Sequence, residues 1–217
     1  MMPILLSIIA ILATIIIHEV AHGYIAYKLG DNTAKQSGRL SLNPLKHLDL
    51  IGTIVIPLVL FFSKAGFIFG WAKPVPVNYA NLKHAKRDML LIASAGILAN
   101  ILTAIFSSII LHLILMLPAG STVGLIAYFC INMIFFNIIF AVFNLLPIPP
   151  LDGSKIMLGW SENKKVQKFL QQERAGIVII ILIAFIIPAF LQSFGITFNP
   201  LSSLLRATTQ FIANIFI

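Results

Sequence analysis

Four apolar stretches, at about residues 4–28, 89–117, 124–147 and 176–194, dominate this 217-residue chain, and nearly all of its Lys and Arg residues fall outside them. Each is long enough, or nearly so, to cross the roughly 30 Å hydrocarbon core of a bilayer as a helix. Lipid offers no water to the backbone, so spanning segments must satisfy their own amides and carbonyls, and a run of single apolar segments does so as helices. With 59% of its residues hydrophobic and 10% charged, the chain lacks the polar surface a soluble domain of this size requires. The expected fold class is an all-α polytopic membrane protein with about four transmembrane helices, a single domain over residues 1–217.

The charges suggest how the spans are threaded. Lys28, Lys35, Arg39 and Lys46 precede a shorter apolar segment, Ile51 to Phe62, that Pro57 interrupts, and Lys64, Lys73, Lys83, Lys86 and Arg87 follow it. Positive charge collects on the cytoplasmic side of membrane proteins, so both flanks belong there and the segment is expected to dip into the membrane and return. Lys155, Lys164, Lys165, Lys168 and Arg174 fall on the same side, while the link from Pro118 to Ser121 carries no charge and suits the outer side. A multi-pass protein of the cell membrane (inner or plasma membrane) with both termini outside follows. The net charge of +8 lies between spans instead of on one face with interleaved aromatics, which argues against a nucleic-acid partner. Gly38–Asn43 and Gly66–Asn78 mix Gly, Pro, β-branched and aromatic residues, and predict short membrane-associated strands or extended loops. The C-terminal run 201–217, with Arg206 as its one charge, is expected to lie along the interface, with a marginal fifth crossing as the alternative. Cys130, alone in an apolar run, reads as a buried thiol, and the first span, lacking a basic leader, is expected to stay in the chain.

Three ionisable residues interrupt the first span. His18, Glu19 and His22 stand in the run HEVAH, and groups of this kind are costly in lipid unless they serve a site. On a helix the i,i+4 spacing places both imidazoles on one face, within reach of one Zn²⁺, with Glu19 beside them to hold a water. Zinc used for hydrolysis takes three protein ligands and leaves a fourth position for water. The candidates for the third are few. Asp152 ends the run FNLLPIPPLDG, where Pro147, Pro149 and Pro150 break a helix and allow a carboxylate to turn inward. At 1.5 Å per residue, His22 lies about 9 Å and His18 about 15 Å along the helix from Lys28, a depth Asp152 must share although Lys155 follows closely. Asp31 and Glu173 remain as more distant alternatives. His112 reads as an isolated membrane histidine near the outer side, and His47 and His84 as loop or headgroup-level residues.

HEVAH at 18–22 followed by NLLPIPPLDG at 144–153 resembles the site-2 protease family of intramembrane zinc metalloproteases. GWAKPVPVN at 70–78 and SAGILAN at 94–100 resemble its compact bacterial and archaeal members, which lack PDZ and CBS domains. The similarity runs from about residue 4 to 155, the expected catalytic core, with C-terminal helices over about 156–217. It implies one zinc per chain held by His18, His22 and Asp152, a catalytic Glu19, and an Asn144 that helps to hold an extended substrate near the metal. The implied partners are a transmembrane protein or peptide substrate and the lipid bilayer, with the active site toward the cytoplasm and regulated intramembrane proteolysis as the setting.

Peptide hydrolysis in a membrane needs an exposed backbone, so a helical substrate must unwind locally before attack. The extended sequence around 66–78 is expected to offer an edge for the unwound chain. Simpler roles attach to the remaining residues: helix packing and an interhelical hydrogen bond for Gly96 and Asn100, with shaping of the substrate cleft as the alternative; interface anchoring for Trp71 and Tyr79; packing against lipid or helices for Phe135, Phe136, Phe140 and Phe143. A metal-ion transporter and a non-catalytic scaffold are the rival classes. The first lacks a second intramembrane charge cluster and an internal repeat, and the second leaves costly ionisable groups without a use.

Overall fold

A computed structural model describes residues 2–55, 58, 59, 62 and 72–216. The expectation for Trp71, for Gly66 to Gly70 and for most of the dipping segment beyond Val55 lies outside the described residues. Helix α1 spans Met2–Lys28, α2 Thr33–Gln36, α3 Ala85–Leu115 and α4 Ser121–Asn144. The short helices α5 (Asp152–Trp160) and α6 (Lys164–Leu170) follow. Then α7 (Glu173–Ile181) continues through a π turn, Leu182–Ile186, into α8 (Ile187–Ser193), and α9 covers Pro200–Phe216. Among the described residues, four helical segments are long and apolar enough to cross a membrane: Met2–Lys28, Ala85–Leu115, Ser121–Asn144 and Glu173–Ser193. They match the four apolar stretches of the sequence within a few residues.

Helices α1, α3 and α4 pack on one another and form the core. Along α1 the buried residues Ala10, Thr14, His18, His22 and Ala26 recur every fourth position, one stripe facing the other two helices. The facing surfaces are also small or polar: Gly96, Asn100, Ala104 and Ser107 from α3, with Asn137, Ala141 and Asn144 from α4. Many large apolar side chains of these helices point outward, Leu102 being 64% and Phe106 63% exposed. Lipid is as apolar as leucine, so small residues that let backbones approach hold such helices together, and polar groups are turned inward. The chain is a multi-pass membrane protein.

Local sequence accounts for the helix ends that matter. Past Lys28, Gly30 takes φ +110°, a left-handed conformation that ends α1. Asp88, buried in the first turn of α3, accepts the His84 backbone N–H at 3.0 Å, where a helix N-terminus favours negative charge. The prolines after Asn144 break α4 as expected, and Asp152 stands in the first turn of α5. In the fourth span Pro188 has no N–H to give the Ala184 carbonyl one turn back. The Asn199 side chain supplies one instead, at 3.0 Å.

No strand occurs among the described residues, so the expected small strands at 38–43 and 72–78 are replaced by irregular extended chain. The reason is where the amides go. Gly38 and Arg39 donate back to the Lys35 and Ala34 carbonyls at the end of α2, Val75 and Asn78 donate to carboxylates of Glu19 and Asp31, and Lys73 makes a bond to distant backbone, the His47 carbonyl at 2.9 Å. A single bond is not a ladder. Helix α9 packs on α4, and Phe216 at its end joins the cluster of Ala104, Leu111, Cys130 and Ile134.

Candidate metal centre

The HEVAH turn lies on the buried stripe of α1 and meets Asp152 from the start of α5. His18, His22 and Asp152 are only 2%, 9% and 4% exposed. Their ligand-type atoms gather at one point: Asp152 Oδ2 lies 3.0 Å from Nε2 of each histidine, and the two Nε2 atoms are 2.9 Å apart. Among the described residues, this is the one group of three or more His, Cys, Asp or Glu side chains so arranged. Asp31 and Glu173, the distant alternatives, are not members of it.

The far side of each imidazole shows what the point between them needs. His18 Nδ1 lies 2.6 Å from Asn100 Oδ1, and His22 Nδ1 lies 2.7 Å from the Ile92 carbonyl. Both partners accept, so each ring carries its proton on Nδ1 and turns the lone pair of Nε2 inward. Two lone pairs and a carboxylate oxygen then face one another, a repulsive set unless a cation lies between them. Zinc bonded tetrahedrally at about 2.0–2.1 Å separates its ligand atoms by roughly 3.3 Å, so the three atoms fit that ion after opening by a few tenths of an ångström. The donor set, two imidazoles and one carboxylate with ordered partners behind the rings, is that of a hydrolytic zinc site.

Space is reserved for the rings. A Cβ at Gly96 would lie 2.5 Å from His22 Nε2 and 2.6 Å from His18 Cε1, so α3 passes under the imidazoles only as glycine. Phe140 closes another side, its ring edge-on to His18 at 4.8 Å. Gly96 makes the expected close helix packing, here directly beneath the two rings, while the expectation for Phe140, packing against lipid or helices, understates a ring that borders the metal point. Asn100 does make the expected interhelical hydrogen bond, and its partner is a histidine of the site.

Glu19, one residue along α1, opens into a cavity of about 530 Å³ shared with the cluster and lined also by Val75, Tyr79, Phe140, Asn144 and Lys155. Val75 donates its backbone N–H to Glu19 Oε2 at 2.8 Å. The extended chain 72–78 thus runs as a strap across the cavity, close enough to α1 that a Cβ on Gly23 would come 2.6 Å from Val75 Cγ1. Asp31 fastens the strap. Its carboxylate accepts the Asn78 N–H and the Asn81 side-chain amide, each at 2.8 Å, besides the amide and hydroxyl of Thr33. Burial alone would raise the Asp31 pKa, but the donors from Thr33, Asn81 and Asn78 outweigh it and hold the carboxyl below its ordinary range.

Asn144 lines the same cavity, its Nδ2 bonded to the Phe140 carbonyl at 3.0 Å. Lys155 reaches Asp152 Oδ1 at 3.4 Å, the oxygen turned away from the histidines. His112 bonds Ser108 O within its own helix, a local role as expected. Of the two expectations for His47, the structure takes the loop: only 2% exposed, it is tied to the Ser41 and Lys73 backbones. Sequence reasoning missed Thr14, Asn137 and the Val75 amide, whose polar groups carry no motif; the one available hint was polar side chains on the buried face of apolar helices.

Membrane helices that bury a His–His–Asp cluster, with a glutamate beside it in a shared cavity, define a metallopeptidase working inside the bilayer. Residues 111–189 match the family model described as Peptidase family M50. A Bacillus subtilis (strain 168) protein described as "Putative zinc metalloprotease YwhC" is 41% identical over 186 residues, covering 83% of this chain and 80% of the relative. A Mycolicibacterium smegmatis protein described as "Putative zinc metalloprotease Rip2" is 28% identical over 182 residues, 82% of this chain and 65% of that relative. No solved structure gives a significant match. The chain belongs to peptidase family M50, the site-2 protease family, and is a zinc-dependent intramembrane endopeptidase. Membership sets this reading above the transporter and scaffold alternatives.

Proposed function

We propose that His18, His22 and Asp152 hold one zinc ion per chain, that Glu19 is the catalytic base, and that Asn144 and the strap hold a locally unwound transmembrane segment beside them. The observation that carries the reading is the convergence of Nε2 of His18, Nε2 of His22 and Oδ2 of Asp152 on one point, three acceptors at 2.9–3.0 Å. When bound there, zinc supplies Lewis-acid chemistry, polarising the scissile carbonyl and lowering the pKa of water. Glu19 takes the proton of the attacking water and returns it to the leaving amine. The Val75 N–H fixes Oε2, which leaves Oε1 for that proton. The Asn144 amide, with one N–H bonded to Phe140, keeps its Oδ1 and second N–H for the substrate backbone.

A substrate helix must open before attack, because its carbonyls are engaged in i to i−4 bonds. The cavity walls from Pro74 to Val77 are extended backbone, suited to pairing with such an opened chain. The basic segments flanking the site, including Lys28, Lys73, Lys83 and Lys155, support an orientation with the site toward the cytoplasmic side.

Zinc content and cleavage of a helical membrane peptide by the purified protein test the assignment, with Glu19→Gln and Asp152→Ala alongside. About one zinc per chain is expected, kept by the glutamate variant with turnover lost and lost by the aspartate variant. A folded sample that binds no zinc, or a Glu19→Gln variant that cleaves at the wild-type rate, would overturn it.

A further inference from the structure

Behind His18 the three core helices share a run of hydrogen bonds with one direction. The Thr14 hydroxyl donates to the Ala10 carbonyl at 2.9 Å, so its oxygen is free to accept from Asn137 Nδ2, also at 2.9 Å. The second N–H of that amide goes to the Met133 carbonyl at 2.8 Å. With both hydrogens used, Asn137 presents Oδ1 to Asn100, whose Nδ2 donates to it at 2.7 Å and to the Thr14 carbonyl at 3.3 Å. Asn100 in turn has only Oδ1 left for His18 Nδ1, at 2.6 Å. Thr14, Asn100 and Asn137 are each 0% exposed. No residue in the run can reverse its role without leaving a buried polar group unsatisfied.

We infer that Thr14 and Asn137 are positioning residues for the metal centre, acting through Asn100 to hold His18 as its Nδ1-protonated tautomer with Nε2 aimed at the ion. The inference rests on the ligand assignment above. A lone Asn100 amide, free to flip, would present a donor to His18 as readily as an acceptor, and the ring would then take its proton on Nε2, where the metal must bind. Asn137 removes that choice because it can only accept from Asn100. Thr14 and the Met133 carbonyl together remove it from Asn137, because a hydroxyl already donating to Ala10, like a carbonyl, can only accept. His22 needs no such device, since the Ile92 carbonyl cannot donate. The arrangement assigns work to a threonine one turn before the zinc motif and to an asparagine on a different helix, neither of which touches the metal or the substrate.

The test measures zinc affinity by chelator competition, the visible spectrum of the Co²⁺ form, and the ¹⁵N signals of the histidines in the metal-free protein, those of His18 identified with His18→Gln. Asn137→Leu is expected to weaken zinc 10–100-fold, Thr14→Val by less, and Thr14→Ser to restore wild-type affinity. Both weakened variants are expected to alter the Co²⁺ bands and to show Nε2-protonated His18. Wild-type affinity, Co²⁺ bands and His18 signals in Thr14→Val and Asn137→Leu would overturn the inference. So would a loss in Thr14→Val that Thr14→Ser shares, which marks packing alone. Thr14→Val decides by itself should Asn137→Leu fail to fold. A wild-type protein that binds no zinc would sink the ligand assignment instead, and the His18 nitrogen signals would still decide the relay.

Discussion

The Val75 backbone amide donates to Glu19 Oε2 at 2.8 Å, joining the strap to the candidate base across 56 positions of sequence. Val75 stands between Pro74 and Pro76, so its N–H is one of few the strap can offer. Val75→Pro, which removes the donor from backbone already shaped by prolines, is expected to lower kcat about 10–100-fold with zinc content unchanged. Val75→Ala keeps the N–H and is expected to retain most activity. Equal rates in the two variants would show that the bond does not orient the base.

Gly96 is the floor of the metal site. Its contacts with the two imidazoles would begin at 2.5 Å for any added Cβ, and the rings are held on their far sides by Asn100 Oδ1 and the Ile92 carbonyl. Gly96→Ala is expected to cost at least tenfold in zinc affinity, the lower end of what displaced ligand support costs, while the metal-free protein remains folded. Chelator competition against thermal unfolding of the metal-free form separates the two. Wild-type affinity in this variant would mean that the rings have room the structure does not show.

Asp31 makes stability depend on pH in a definite direction. Its folded pKa is depressed, so its contribution is fully present above the ordinary carboxylate range and is lost as pH falls through the folded value. Thermal unfolding between pH 7 and 3 is expected to show Asp31→Asn already destabilised, by about 1–3 kcal/mol at neutral pH, with the gap to wild type closing below about pH 4. Cleavage should fall with it, since Asp31 fastens the strap that carries Val75. A constant gap across this range would assign the stability to packing.

Asn199→Ala is expected to loosen the fourth span by taking away the donor that replaces the missing N–H of Pro188. A loss of about 0.5–2 kcal/mol is expected. Zinc affinity should not change, because the bond joins Asn199 to Ala184, both beyond α5. Proteolytic nicking near 182–199, compared between variant and wild type, reads the effect directly, and unchanged resistance would count against it.

The four spans and the histidine pair were legible because both are local. An apolar run must be helical in lipid, and the spacing of His18 and His22 on a helix settles that they share a face. The break after Asn144 was equally plain, since three prolines in four residues cannot continue a helix. The expected strands failed for a reason no local pattern holds. Extended chain at 72–78 became a strap because carboxylates of Glu19 and Asp31 took its amides, and strand propensity has no means of foreseeing a side-chain partner.

By itself, then, the sequence determined the membrane class, the helices and the face that carries the zinc motif, all consequences of periodicity and of a solvent that cannot satisfy backbone groups. The residues alone pointed to Asp152 but left Asp31 and Glu173 in play, and the family resemblance favoured Asp152. Only the tertiary structure decided that Asp152 meets His18 across 134 positions, that Asn100 turns an oxygen to the same ring across 82, and that Asn137 and Thr14 hold that oxygen there. Such contacts depend on how α1, α3 and α4 are rotated against one another. Rotation is set by the sum of close-packed small residues along all three helices, and no single segment of sequence carries that sum.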